Sequence, residues 1–61
     1  MLHNVKLLEF SGELVESFDT QFVRAAIIQL QHEHGDAPYM VSVDGADLGP
    51  LYAALDNWDN H

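Results

Sequence analysis

The alternation of apolar and polar residues near the start of the chain predicts a β-hairpin. Residues 5–10 and 14–18 are rich in apolar side chains, and Ser11-Gly12-Glu13 separates them. Gly12 permits the left-handed backbone conformation that a short hairpin loop requires. We therefore expect two antiparallel strands joined by a loop of three residues.

This loop length predicts which side chains share a face of the hairpin. One face carries four large apolar side chains, those of Leu8, Phe10, Leu14 and Phe18. The other face carries Val5, Leu7 and Val15 beside polar residues. Neither face is cleanly polar, so we expect the sheet to be covered on both sides or to meet another protein with one side.

A helical periodicity follows the hairpin. Asp19 is a good N-cap residue, and Phe18 before it is placed to pack on Val23 as a hydrophobic staple. The apolar stripe of this helix comprises Phe22, Val23, Ala26, Ile27 and Leu30. We expect the helix to begin after Asp19 and to end at Gly35 as its C-cap.

The remaining pattern predicts one more strand and one more helix. Tyr39–Val43 alternates in the manner of a half-buried strand. Asp44-Gly45 is suited to a hairpin turn, but the residues after it do not alternate, so we predict a turn that leads into a helix. Pro50 suits the first position of that helix. Its apolar stripe comprises Leu51, Leu55 and Trp58, with Tyr52 beside it.

These elements predict a single α+β domain over residues 1–61, with a three-stranded, mainly antiparallel sheet and two helices in the order β-β-α-β-α. A right-handed crossover through the first helix places the third strand beside the first and antiparallel to it, in the spatial order 2-1-3. We expect the first helix on one face of the sheet and the second on the other face or at an edge.

Candidate chemistry is sparse. One group of possible metal ligands comprises His32, Glu33, His34 and Asp36. Residues two apart on a helix point about 200° apart, so these histidines converge only where the helix has unwound. A second group, of Asp56, Asp59 and His61, lacks preorganisation. Because a domain of this size rarely has room for a dry substrate cleft, we expect no metal, no cofactor and no enzymatic activity.

The charge of the chain is the strongest functional clue. Ten acids against Lys6 and Arg24 give a net charge of −8, which excludes nucleic acid phosphates and anionic membranes as default partners. Residues 25–61 contain neither cation and six of the acids, namely Glu33, Asp36, Asp44, Asp47, Asp56 and Asp59. We expect the first two of these at the opposite end of the sheet from Asp44 and Asp47.

These six acids predict a surface that imitates a nucleic acid backbone. The net charge of −8 equals the charge of the phosphates of about four base pairs. With Tyr52 and Trp58 as apolar anchors, they form the predicted partner-binding set, and Met40 is a further possible anchor. The partner is then a protein with a basic nucleic-acid-binding surface. The lack of cysteine favours a reducing cytoplasm, and we expect a monomer.

In size, charge, absence of cysteine and α+β plan, the chain resembles small acidic phage-encoded inhibitors, including anti-CRISPR proteins and other DNA mimics. The resemblance implies a stoichiometric inhibitor in a bacterial cytoplasm. Its target is then a nucleic-acid-binding host protein, such as a subunit of a CRISPR surveillance complex. The alternative is a small structural or regulatory subunit that dimerises or docks through Val5, Leu7 and Val15, with acidity that only solubilises it.

Overall fold

A computed structural model describes residues 1–60, which form four strands and two helices. The elements are β1 (His3–Glu9), β2 (Leu14–Thr20), α1 (Val23–His34), β3 (Tyr39–Val43), β4 (Ala46–Pro50) and α2 (Leu51–Asp59). The α+β class is confirmed. The prediction of three strands in the order β-β-α-β-α is wrong, because the order is β-β-α-β-β-α.

The additional strand exists because Asp44-Gly45 does turn a hairpin. Both residues have positive φ, 54° and 83°, as the two-residue turns that suit the twist of paired strands require. Val43 then pairs with Ala46 across the turn. Leu48 is the single buried residue of β4, so the strand has no alternating apolar pattern that the sequence could reveal.

The sheet has the order β2-β1-β3-β4, and every neighbouring pair is antiparallel. Val5 in β1 pairs with Phe18 on one side and with Val43 on the other. The predicted position of the third strand, beside the first and antiparallel to it, is confirmed.

Both helices cover the same face of the sheet, so the prediction that α2 lies on the other face or at an edge is wrong. Helix α2 follows β4 without an intervening residue, and its buried side chains join those of α1 in one cluster. The core comprises Val5, Leu7, Val23, Ile27, Leu30, Val41, Val43, Leu48, Leu51 and Ala54. The opposite face, which we call the open face, carries no helix of the described chain.

The first hairpin differs from its prediction in two ways: its three-residue loop begins one residue earlier, and β2 contains a bulge. Its loop is residues 10–12, because the Glu9 carbonyl accepts from the Gly12 N–H and the Glu9 N–H donates to the Glu13 carbonyl, both at 2.8 Å. Leu8 pairs with Leu14 but Leu7 pairs with Glu16, which leaves Val15 as the extra residue of a β-bulge.

The bulge overturns the predicted faces of this hairpin. Phe18 lies on the covered face opposite Val5, whereas Leu8 and Leu14 lie on the open face. The expected face of Leu8, Phe10, Leu14 and Phe18 is therefore wrong. The docking face proposed for Val5, Leu7 and Val15 is also wrong, since Val5 and Leu7 are fully buried in the core.

The start of each helix also differs from its prediction, whereas the end of α1 is confirmed. Asp19 is a strand residue, and the N-cap of α1 is Phe22, whose N–H donates to Thr20 Oγ1 at 2.9 Å. Pro50 is the N-cap of α2 rather than its first helical residue. The first helix ends before Gly35, whose N–H donates to a carbonyl of the last turn.

Candidate functional site

The topology sorts most of the acids to two ends of the sheet. β1 and β4 begin, and β2 and β3 finish, at the same end, where α1 begins and α2 finishes. This end, which we call the aspartate end, holds Asp19, Asp44, Asp47 and Asp59. The opposite glutamate end holds Glu9, Glu13, Glu16, Glu33 and Asp36.

Asp44 is the best anchored of these aspartates. Its Oδ1 accepts from the Asn4 N–H at 2.8 Å, and its Oδ2 lies 2.6 Å from His3 Nδ1. Its own N–H donates to the Asn4 carbonyl at 2.8 Å. An ionised carboxylate only accepts, so His3 carries a hydrogen on Nδ1. The Asn4 N–H, and then the His3 ring, hold the pKa of Asp44 below its usual value.

Asn4 connects Asp44 to a second aspartate on the neighbouring strand. Its side-chain Nδ2 donates to Asp19 Oδ1 at 3.1 Å and to Ser17 Oγ at 3.4 Å. One residue of β1 thus positions two carboxylates, Asp19 through its side chain and Asp44 through its backbone. The fold therefore fixes these two charges relative to each other.

An ion pair joins the two helices at the same end. Arg24 in the first turn of α1 lies 3.4 Å from Asp59, the last residue of α2. Both side chains are about half exposed, at 56% and 43%. Because exposed ion pairs stabilise little, an incoming cation can compete for Asp59 at small cost.

An apolar groove lies between the start of α1 and the last turns of α2. It has a volume of about 470 Å³, and its lining includes Phe22, Val23, Arg24, Ile28, Trp58 and His3. Phe22, the N-cap of α1, is 71% exposed, and Ile28 is 38% exposed. The His3 ring meets Trp58 edge to face at 5.7 Å, so the groove adjoins the Asp44 cluster.

The predicted partner-binding residues are divided between the two ends. Asp44, Asp47, Asp59 and Trp58 lie at the aspartate end, and Asp56 lies one turn before the end of α2. Glu33 and Asp36 lie at the glutamate end, so their predicted separation from Asp44 and Asp47 is confirmed. Tyr52 is 77% exposed in the first turn of α2 and does not line the groove.

Four residues of the site, His3, Asp19, Phe22 and Ile28, were not predicted from the sequence. Asp19 was assigned to a helix cap and Phe22 to a buried stripe, whereas Asp19 is an exposed strand residue and Phe22 an exposed N-cap. The available signal was the excess of apolar residues in α1. Ile28 is a large apolar residue outside the stripe that Val23, Ile27 and Leu30 form.

The glutamate end has a different electrostatic character. A side-chain hydrogen bond with Glu13, and the negative charge of Glu13, raise the pKa of Glu9. Nearby, His34 Nε2 lies 3.7 Å from Glu16 Oε2, beyond hydrogen-bond distance.

The residues of the two suggested metal sites do not form a ligand cluster in the described part of the chain. Within residues 1–60, no group of three or more histidine or acidic side chains is arranged to hold a metal ion. The second suggested site, of Asp56, Asp59 and His61, depends on His61, which lies outside the described residues.

No family model, curated protein or solved structure matches this chain. Neither helix in residues 1–60 has the length and apolar character needed to cross a membrane.

Proposed function

We propose that this chain is an acidic, non-enzymatic binding protein that blocks the nucleic-acid-binding surface of a basic partner protein. The partner is of the type that the resemblance to phage inhibitors suggests, such as a subunit of a bacterial CRISPR surveillance complex. The contact surface is the aspartate end. The observation that carries this proposal is the fixed pair of carboxylates, Asp19 and Asp44, on adjacent strands around Asn4.

Fixed carboxylates suit a phosphate mimic because their positions are set before binding. A surface that is already ordered loses less conformational entropy in the complex than free surface acids do. Electrostatic attraction then accelerates encounter with an Arg- and Lys-lined groove.

The division of the acids limits the length of nucleic acid that one contact imitates. The molecule measures 29 × 20 × 19 Å, and only one end faces a partner in this arrangement. The four carboxylates of the aspartate end correspond to the phosphates of about two base pairs. The proposed target is therefore a short nucleic-acid-binding groove. It spans about two base pairs, half the length that the total charge suggests.

Two variants with the same change in net charge test this proposal. In the first, Asn replaces Asp19, Asp44, Asp47 and Asp59. In the second, the matched control, neutral amides replace Glu9, Glu13, Glu33 and Asp36. Each variant raises the net charge by four, so a difference in affinity between them does not come from net charge, and circular dichroism verifies that both are folded.

Partners are captured from nuclease-treated bacterial lysate, and the affinity of the purified complex is measured across salt concentrations. We expect the aspartate-end variant to lose about tenfold or more in affinity and to show a flatter salt dependence. The control retains its affinity, and duplex DNA displaces the wild-type chain. Equal losses in both variants, or none in either, would contradict a contact through the aspartate end.

A second candidate function is a subunit that dimerises through the open face. Leu14, 54% exposed, lies on an edge strand of that face and pairs with the half-buried Leu8. Sedimentation over a wide concentration range tests it. A monomer at all concentrations would rule out this candidate. A tight dimer would support it and would mean that the acids only keep the protein soluble.

A further inference from the structure

We propose that the apolar groove binds a large apolar side chain from a Lys- or Arg-flanked segment of the partner. This inference rests on the proposed function and adds the chemistry that gives the contact its specificity. Charge attracts many basic proteins, whereas an apolar side chain seated beside fixed charges selects among them.

The groove has the size and composition of a binding site. Its volume of about 470 Å³ exceeds the roughly 300 Å³ at which small-molecule sites begin. Phe22, Ile28 and Trp58 are the largest apolar side chains of its lining. The hydrogen bond from the Phe22 N–H to Thr20 Oγ1 fixes the backbone at the start of the groove.

Charge complementarity identifies the flanking residues of the occupant. Asp59 follows Trp58 directly in α2, and Asp44 lies behind the His3 ring that touches Trp58. The apolar lining and the carboxylates thus form one continuous surface. A Lys or Arg beside the inserted side chain reaches these carboxylates, whereas an acidic segment is repelled by them.

The position of Arg24 is consistent with a cationic occupant. Its guanidinium lines the groove and is paired with Asp59 across the gap between the helices. Because this ion pair is exposed, a guanidinium or ammonium group of the partner can replace Arg24 at Asp59 without leaving a buried charge. Aromatic and arginine side chains near the centre of a contact are also the residues that most often dominate binding energy.

Trp58 makes the groove directly observable, because it is the one tryptophan of the chain. Its fluorescence is titrated with three synthetic hexapeptides. The first, Lys-Lys-Leu-Phe-Lys-Lys, combines both features. The second, Lys-Lys-Ser-Ser-Lys-Lys, keeps the charge alone, and the third, Glu-Glu-Leu-Phe-Glu-Glu, keeps the apolar pair and reverses the charge of its flanks.

We expect the first peptide to shift the Trp58 emission to saturation and to bind about tenfold or more tightly than the second. The third is expected to leave the emission unchanged. Equal affinity for the first two peptides, or binding of the third, would overturn the proposed occupant.

Variants of the groove separate this inference from the proposed function. Phe22→Ser and Ile28→Ser remove exposed parts of the lining, and Tyr52→Ser removes an equally exposed aromatic outside it. The first two variants should reduce the affinity for Lys-Lys-Leu-Phe-Lys-Lys to that of the serine peptide, and the Tyr52 variant should not. Circular dichroism verifies that all three variants are folded.

The aspartate-end variant completes the design. If it weakens both cationic peptides while the Phe22 and Ile28 variants weaken neither, the groove inference fails and the acidic contact stands. If it weakens neither peptide while the groove variants weaken the first, the acidic contact fails and the groove stands without its charge partner, which also overturns a cationic occupant.

Discussion

The two ends of the sheet each hold a hairpin turn and a group of acids, but the acids have opposite surroundings. At the aspartate end, Asp44 accepts from the Asn4 N–H and contacts the His3 ring. At the glutamate end, Glu9 and Glu13 face each other across the base of the loop. The pKa is lowered for Asp44 and raised for Glu9, each by its nearest neighbours.

This difference shows that net charge alone does not describe an acidic surface. Hydrogen-bond donors at the start of β1 stabilise the ionised form of Asp44. The second carboxylate at the other turn favours the protonated form of Glu9. The fold thus contributes to a fixed negative charge at one end and opposes it at the other, although the sequence shows acids at both.

The largest expected difference between the ends concerns their turns. Gly45 has φ of 83° and Gly12 has φ of 97°, and a Cβ added at either meets no atom within 4 Å. Alanine at these positions therefore tests backbone strain alone. We expect Gly45→Ala to lower the free energy of unfolding by about 1–2 kcal/mol, because a two-residue turn has no alternative conformation.

Gly12→Ala is the matched substitution and should cost about half as much. Its loop has three residues rather than two, so it has more freedom to rearrange. Urea denaturation of both variants measures the difference. Equal losses would mean that the two turns are equally constrained, and the contrast between the hairpins would not extend to their backbones.

Elements whose signal lies within a few residues were predictable from the sequence, and elements fixed by tertiary contacts were not. Tyr39–Val43 and the end of α1 before Gly35 were predicted because alternation and a helix-terminating glycine act within a few residues. The start of α1 was placed too early because β2 continues through Asp19, held there by pairing with Asn4. That pairing is a tertiary contact, which a local cap signal does not contain.

The candidate site was predictable in part for the same reason. The separation of Glu33 and Asp36 from Asp44 and Asp47 follows from strand directions alone. The link from Asp19 to Asp44 does not, because it depends on β1 lying between β2 and β3 and on the side chain of Asn4.

A smaller effect is expected in the pH dependence of stability. Asp44 has a lowered pKa when folded, so its stabilisation is present above its ordinary pKa and is lost as the pH falls through the folded value. Glu9 has a raised pKa, so its protonated form contributes stability that is present below its ordinary pKa and is lost as the pH rises through the folded value.

Asp44→Asn and Glu9→Gln separate these contributions, and asparagine also tolerates the positive φ of Asp44. At pH 7 we expect Asp44→Asn to lower the urea midpoint and Glu9→Gln to raise it slightly. At about pH 3, both differences should shrink. Changes of the same sign at pH 7 would contradict the opposite surroundings of the two acids.

The smallest expected effect is that of substituting His34. This substitution tests whether His34 fixes the position of Glu16 at the glutamate end. Within residues 1–60, the buried Nε2 of His34 has no hydrogen-bond partner, and its ring meets Tyr39 edge to face at 5.2 Å. His34→Phe keeps this ring contact and removes the unsatisfied nitrogen. We expect the free energy of unfolding to stay the same or to rise by at most about 1 kcal/mol.

Glu16→Gln is the control for this substitution, because Glu16 Oε2 lies 3.7 Å from His34 Nε2. Thermal unfolding of the two single variants and of the double variant forms a mutant cycle. Changes that add without coupling would agree with an unconstrained Glu16. Two destabilised single variants with a coupling between them would instead show that His34 fixes Glu16 as His3 fixes Asp44, and the contrast between the two ends would then be limited to Glu9 and Glu13.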